Sequence, residues 1–132
     1  MGSFFGTALT SPFIVTFTIT TVNVANSNAK IQMYLNGSLT AEGLNAVSST
    51  YINLNTFDIG NWYFEPNTYH GGISSLLTFN TVLTDNERQQ IEGYLAWKWW
   101  DSGTAILNSS HPYYSTPPST DIGALFNPLN YS

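Results

Sequence analysis

The sequence contains no cysteine, which excludes a disulfide scaffold, a thiolate metal site and a cysteine nucleophile and leaves the redox compartment open. Charge is the next scarcity. Only 8% of the 132 residues are charged, against about 25% in an ordinary globular chain. Solubility therefore falls to Ser, Thr, Asn and Gln, a surface suited to chains that pack against other chains. Lys and Arg number 3 against 8 Asp and Glu, for a net charge of -5. Affinity for phosphates needs clustered cations, so no nucleic-acid partner is expected. No stretch approaches the ~18 apolar residues of a membrane span, and none is expected to contact a membrane. The start, Met1-Gly2-Ser3-Phe4-Phe5-Gly6, lacks the basic and apolar regions of a secretory signal, and Gly6 stands where a myristoylation motif has Ser or Thr.

What is present is apolar and aromatic: 42% hydrophobic residues, with 8 Phe, 8 Tyr and 4 Trp. That is far from a disordered composition. The length suits one domain, and a chain of this size buries roughly two thirds of its unfolded surface without covalent staples.

Residues 13–24, FIVTFTITTVNV, are β-branched, aromatic and alternating, which predicts a strand. Phe13, Val15, Phe17 and Ile19 share one parity and Val22 and Val24 the other, so a bulge near Thr20-Thr21 or a break into two strands is expected. A turn at Asn26-Ser27-Asn28 leads to a second strand through Ile31, Met33 and Leu35, ending at the hairpin signal Asn36-Gly37. Residues 41–50 form a polar stretch, followed by a third strand over 51–60. The segment 61–69 is aromatic but interrupted by Pro66, as a loop would be. His70-Gly71-Gly72 opens a fourth strand with Ile73, Leu77 and Phe79 on one side. One helix begins at Thr84, whose spacing to Glu87 forms a capping box, with Asp85 and Glu87 at the positive end of the helix dipole. Ile91, Leu95 and Trp99 form its expected core stripe, and Arg88, Gln89 and Glu92 its expected outer face. It should stop near Asp101-Ser102-Gly103. The remainder, with Pro117-Pro118 and Pro128, is too rich in Pro, Ser and Asn to be a core element.

Catalytic constellations are missing. His70 and His111 lie in no His-x-x-x-His or Glu-x-x-His spacing, and their plain roles are a hydrogen-bonded residue before a glycine pair and a residue fixing a turn before Pro112. A metal site joining them to Asp58 or Glu65 is the less economical reading, and no metal and no cofactor are expected. Glu87 and Glu92 have a capping or solvated-face explanation and make poor partners for glycoside hydrolysis. No nucleophile elbow, phosphate loop or dinucleotide fingerprint occurs. The chain reads as a non-enzyme.

The aromatics carry the functional candidates. Trp62, Tyr63, Phe64 and Tyr69 lie in the proposed loop, where flat amphipathic rings either close the end of a sandwich or stack on sugar faces. Trp62, Tyr63 and Tyr69 are the candidate carbohydrate-binding residues. Trp97, Trp99 and Trp100 cannot all point to one side of a helix, so one must be exposed or covered from outside it. Trp97 and Trp100 are the candidate interface residues. Three Asn-X-Ser triplets, at Asn36, Asn108 and Asn130, match the glycosylation pattern. In a chain so rich in Asn and Ser they arise by chance, and no function attaches to them on sequence grounds.

The order Tyr34-Leu35-Asn36-Gly37, Asp58-Ile59-Gly60, Gly72-Ile73-Ser74-Ser75-Leu76 and Leu83-Thr84-Asp85-Asn86-Glu87 resembles the C-terminal half of a laminin G-like jelly roll of the concanavalin A-like lectin/glucanase superfamily. The segment Ile91-Glu92-Gly93-Tyr94-Leu95-Ala96-Trp97-Lys98-Trp99, with the later His111-Pro112-Tyr113 and Pro117-Pro118, is similar to the ending of a subgroup found in phage, large DNA viruses and bacterial surface proteins. The resemblance covers about residues 16–118. It implies a mainly β fold, an antiparallel jelly-roll β-sandwich with one C-terminal α-helix, in residues 1–116, with 117–132 as a tail. It further implies a virion or extracellular location and a virion structural or appendage role through contacts with other virion or surface chains, in an oligomer or larger assembly. A carbohydrate-binding, lectin-like module for glycans is the alternative. The family's calcium cluster and the catalytic acids of its glucanases have no counterpart, and its glycine after the Lys-Trp pair is Trp100. The family's sandwich has about a dozen strands, whereas this length holds about six to eight of ordinary size. An incomplete sandwich has an open edge that must be covered, either by strands of a neighbouring chain or by the remainder of a longer polypeptide of which this sequence is part.

Overall fold

The computed structural model describes residues 11–23, 28–46 and 71–119. Strand β1 runs Val15–Asn23, β2 Asn28–Leu35 and β3 Ser38–Ala46, and helix α1 spans Asp85–Trp100. The strands form an antiparallel sheet in the order β1-β2-β3. Three strands and one helix make the described part a mainly β arrangement.

The β2–β3 hairpin turns on Asn36 and Gly37, whose φ angles are +52° and +83°. Two consecutive positive φ values are what a two-residue type I′ turn requires, and Asn-Gly is the pair that adopts them at least cost. The register of β1 against β2 slips between Thr21 and Asn23, beside the expected position near Thr20-Thr21. Strands expected through 51–60 and a loop over 61–69 lie outside the described residues.

Two segments differ from expectation. Residues 38–46 are a strand paired to β2, although 41–46 belong to the stretch read as polar; the register shifts between Met33 and Tyr34, which leaves Thr40 without a partner in the ladder. The sequence SLTAEGLNA has little alternation of its own. It is specified instead by the turn that launches it and by cross-strand pairs, Lys30 Nζ to Glu42 Oε2 at 2.9 Å and Gln32 Nε2 to the same carboxylate at 2.8 Å. Conversely, residues 71–83 are in no strand, although Ile73, Leu77 and Phe79 suggested one. A ladder exists only through its neighbours, and β1, β2 and β3 pair with one another and not with this segment.

Register divides the sheet into two chemically distinct faces. Val15, Phe17 and Ile19 lie opposite Leu35, Met33 and Ile31, so the odd-numbered residues form an apolar face. Thr16, Thr18 and Thr20 lie opposite Tyr34, Gln32 and Lys30 on the other. Met33, on the central strand, is buried, but Val15, Phe17 and Ile19 along β1 are exposed, Phe17 by 54%.

Helix α1 begins as its sequence predicts. The Thr84 hydroxyl accepts the Glu87 N–H at 3.3 Å, and the Glu87 carboxylate accepts the Thr84 N–H at 2.8 Å. That backbone hydrogen bond, with the one from the Thr84 hydroxyl, holds the Glu87 carboxyl below the usual carboxylate range. The helix ends at Asp101, whose φ of +53° turns the chain out of the helix while its N–H donates to the Trp97 carbonyl.

Candidate functional site

The chemistry of the described residues is concentrated where α1 meets the polar face of the sheet. The expected orientation of the helix is met in part: Ile91 is buried and Leu95 packs against the apolar core, but Arg88 and Glu92, read as solvated, are buried at 5% and 1% exposure, while Trp99, read as core, is 46% exposed. The buried set Arg88, Ile91, Glu92, Gly93 and Ala96 follows i, i+3, i+4 spacing around Glu92. The apolar periodicity misses this because the centre of the stripe is charged.

Glu92 is the hub. Its Oε2 accepts Arg88 Nη1 at 2.7 Å and lies 3.3 Å from His111 Nε2, and its Oε1 accepts the Thr16 hydroxyl at 2.9 Å. Arg88 is held from two further sides. Its guanidinium carbon sits 3.8 Å above the Tyr34 ring centroid, Nη2 reaches Asp85 Oδ1 at 3.3 Å, and Nε is buried with no hydrogen-bond partner among the described residues. The stacking on Tyr34 is a desolvated cation–π contact, worth about 2 kcal/mol in such settings. His111 uses both ring nitrogens. Nδ1 accepts the Tyr113 N–H at 3.2 Å, so the proton sits on Nε2, which donates to Glu92.

A strap formed by residues 103–114 closes over this cluster. Leu107 joins Ile14 and Ala96 in the buried apolar core, with Leu95, Trp100, Ile106, Tyr113 and Tyr114 packed around it. The strap is also bonded to the hairpin turn. Asn36 exchanges backbone bonds with Ile14 and Asn108, and its side-chain oxygen accepts the Ile14 N–H at 2.9 Å. Two glycines permit the close approach. A Cβ on Gly93 would lie 2.7 Å from Tyr113 Cβ, and one on Gly37 would lie 2.5 Å from His111 Cδ2. Neither fits beside a ring that cannot shorten.

Within the cluster both Glu92 oxygens and both His111 ring nitrogens are engaged inside the protein, and Arg88 Nε is without a partner among the described residues. No group of three or more His, Asp or Glu suited to a metal occurs among the described residues. No helix of the described residues is long and apolar enough to cross a membrane. The arrangement acts as a clasp that joins helix, strap and hairpin turn.

Of the sequence-predicted site residues, Trp97 and Trp100 are placed half-buried. Trp97 Nε1 donates to the Tyr113 carbonyl at 3.0 Å, and Trp100 packs on the apolar core. Trp99 is the exposed member, with Nε1 donating to Ser75 Oγ at 3.0 Å and Lys98 Nζ 5.1 Å from its ring centroid. Trp62, Tyr63, Phe64 and Tyr69, like Asp58, Glu65 and His70, lie outside the described residues. The turn expected at His111 is present, fixed by the Nδ1 bond. Its link to Glu92 was missed, because residues 19 apart reveal a contact only once the chain has folded back. No family model, curated protein or solved structure matches this chain.

Proposed function

We propose that this chain is a non-enzymatic jelly-roll module, a virion structural or appendage protein that works through contacts with neighbouring chains. The observation that carries the proposal is the apolar face of the sheet, where Val15, Phe17 and Ile19 stand exposed in a row along β1 among the described residues. Burying apolar surface is worth about 25 cal/mol per Å², and contiguous exposed patches of this kind mark interfaces. The scarcity of charge agrees with it, since the desolvation cost of covering such a surface is small. The internally bonded Arg88–Glu92–His111 cluster supports a scaffold and not turnover. The laminin G-like resemblance supplies the remaining step, a sandwich whose second layer covers the apolar face.

Light scattering of the purified full chain over a range of concentrations tests this reading. Assembly beyond the 14.6 kDa monomer, reduced by Phe17→Lys, is the expected result. A stable monomer at every concentration, alone and mixed with extracts of assembled particles, refutes it. The alternative, a carbohydrate-binding module built on Trp62, Tyr63 and Tyr69, predicts glycan-array binding that Trp62→Ala removes.

A further inference from the structure

Of the three Asn-X-Ser triplets, two lie among the described residues, and their geometry differs. Asn36 is half-buried in the hairpin turn. Its side-chain oxygen is held by the Ile14 N–H, and its backbone is bonded to Ile14 and Asn108. Asn108, Ser109 and Ser110 are all exposed. Asn108 Oδ1 accepts the Ser110 N–H at 2.9 Å and the Ser110 hydroxyl at 2.8 Å. This closed turn aligns the carboxamide with the hydroxyl of the third residue, and it involves no atom outside the triplet. The turn is thus available to the chain before the strap docks, and the triplet stays in solvent afterwards. The Asn108 N–H donates to Asn36 and its carbonyl accepts the His111 N–H, so the backbone is anchored while the side chain stays exposed.

We propose that Asn108 is an acceptor site for an N-linked oligosaccharide, and that Asn36 is not. The donor class is an oligosaccharide joined through a diphosphate to a polyisoprenoid lipid. Asn108 Nδ2 forms a bond to the anomeric carbon of the first sugar. The bond from that carbon to the diphosphate oxygen breaks, the lipid diphosphate leaves with the electron pair, and the amide proton passes to a base of the transferase. Nothing is oxidised or reduced. A glycan on this exposed side chain leaves the clasp intact, whereas one on Asn36 would have to displace the contacts that join turn, Ile14 and strap.

The test is to express the full chain behind a cleavable secretion leader in a eukaryotic cell and to map glycopeptides in the whole leader-cleaved pool, so that poor folding does not hide the result. The expected outcome is a glycan on the peptide containing Asn108, lost in Asn108→Gln and in Ser110→Ala, retained in Ser110→Thr, and unaffected by Asn36→Gln. An unmodified Asn108 in leader-cleaved chain overturns the proposal, as does modification of Asn36 in its place.

Discussion

Replacing Glu92 with Gln keeps the size of the side chain and removes its charge, which isolates what the clasp contributes. Arg88 would remain 5% exposed. Its only other carboxylate partner among the described residues is Asp85, at 3.3 Å and with a side chain 82% exposed. Removing one partner of a buried ion pair costs about 3 to 5 kcal/mol, because the other charge is left uncompensated. The Tyr34 ring and Asp85 keep some compensation, so the lower end, about 3 kcal/mol, is expected for Glu92→Gln. For 132 residues the entropy of unfolding is about 0.28 kcal/mol/K, which converts the loss to a fall in Tm of about 11 °C. Since whole domains are stable by about 5 to 15 kcal/mol, that is a large fraction of the total. Urea denaturation at pH 7 followed by tryptophan fluorescence measures it, with Trp97 reporting on the strap through its bond to Tyr113. A loss below about 1 kcal/mol, the range of a solvated ion pair, refutes the buried clasp and restores Glu92 to an outer face.

Gly93→Ala sets helix propensity, which favours Ala by about 1 kcal/mol, against a Cβ 2.7 Å from Tyr113 Cβ. Overpacking typically costs about 1 to 3 kcal/mol, so thermal melts should show net destabilisation, and a stabilised variant would mean the strap does not lie on the helix. Thr84→Ala should cost about 1 kcal/mol through loss of the N-cap. It should also change the pH profile. The Glu87 carboxyl is held low by Thr84, so its contribution is present above the unfolded value of about 4.3 and is lost as pH falls through the lower folded value. The Thr84 N–H still bonds the carboxylate in Thr84→Ala, so only the hydroxyl's share of that effect is lost; the stability curves should draw closer below pH 4, and parallel curves down to pH 2 would contradict the hydroxyl's bond to Glu87.

Legibility in the sequence tracked the range of the interaction. The Asn36-Gly37 turn, the Thr84–Glu87 box and the stop at Asp101 all rest on residues within a few positions of each other, and each is where the pattern placed it, while the slip after Thr21 lies beside its expected place. Strand β3 was missed because its specification comes from β2 and the turn, not from its own alternation. The helix face was misassigned for a different reason. An Arg and a Glu four apart describe equally well a solvated pair and a buried one, and what decides is whether Thr16, Tyr34 and His111 arrive to complete the bonds. Those partners are 76, 54 and 19 positions from Glu92, Arg88 and Glu92 respectively, counting along the sequence.

A helix laid on a threonine-rich sheet face cannot be positioned by apolar packing alone, because Thr16 and its neighbours offer few large surfaces to interlock. Directional bonds can do what shape does elsewhere: the carboxylate of Glu92 fixes the helix against Thr16, and His111 fixes the strap against both. Buried ion pairs contribute little net stability compared with apolar groups of equal volume, and some maintain a unique arrangement instead. The double variant Arg88→Met/Glu92→Leu separates these roles. Its denaturation free energy should lie within about 1 kcal/mol of wild type, or above it. Its amide spectrum should nevertheless broaden or double for residues 103–114, as the strap samples more than one seat on the helix. A single sharp set of strap resonances in a variant of unchanged stability would show that Ile14, Ala96 and Leu107 suffice to define the packing, and that the buried charges do not set its register.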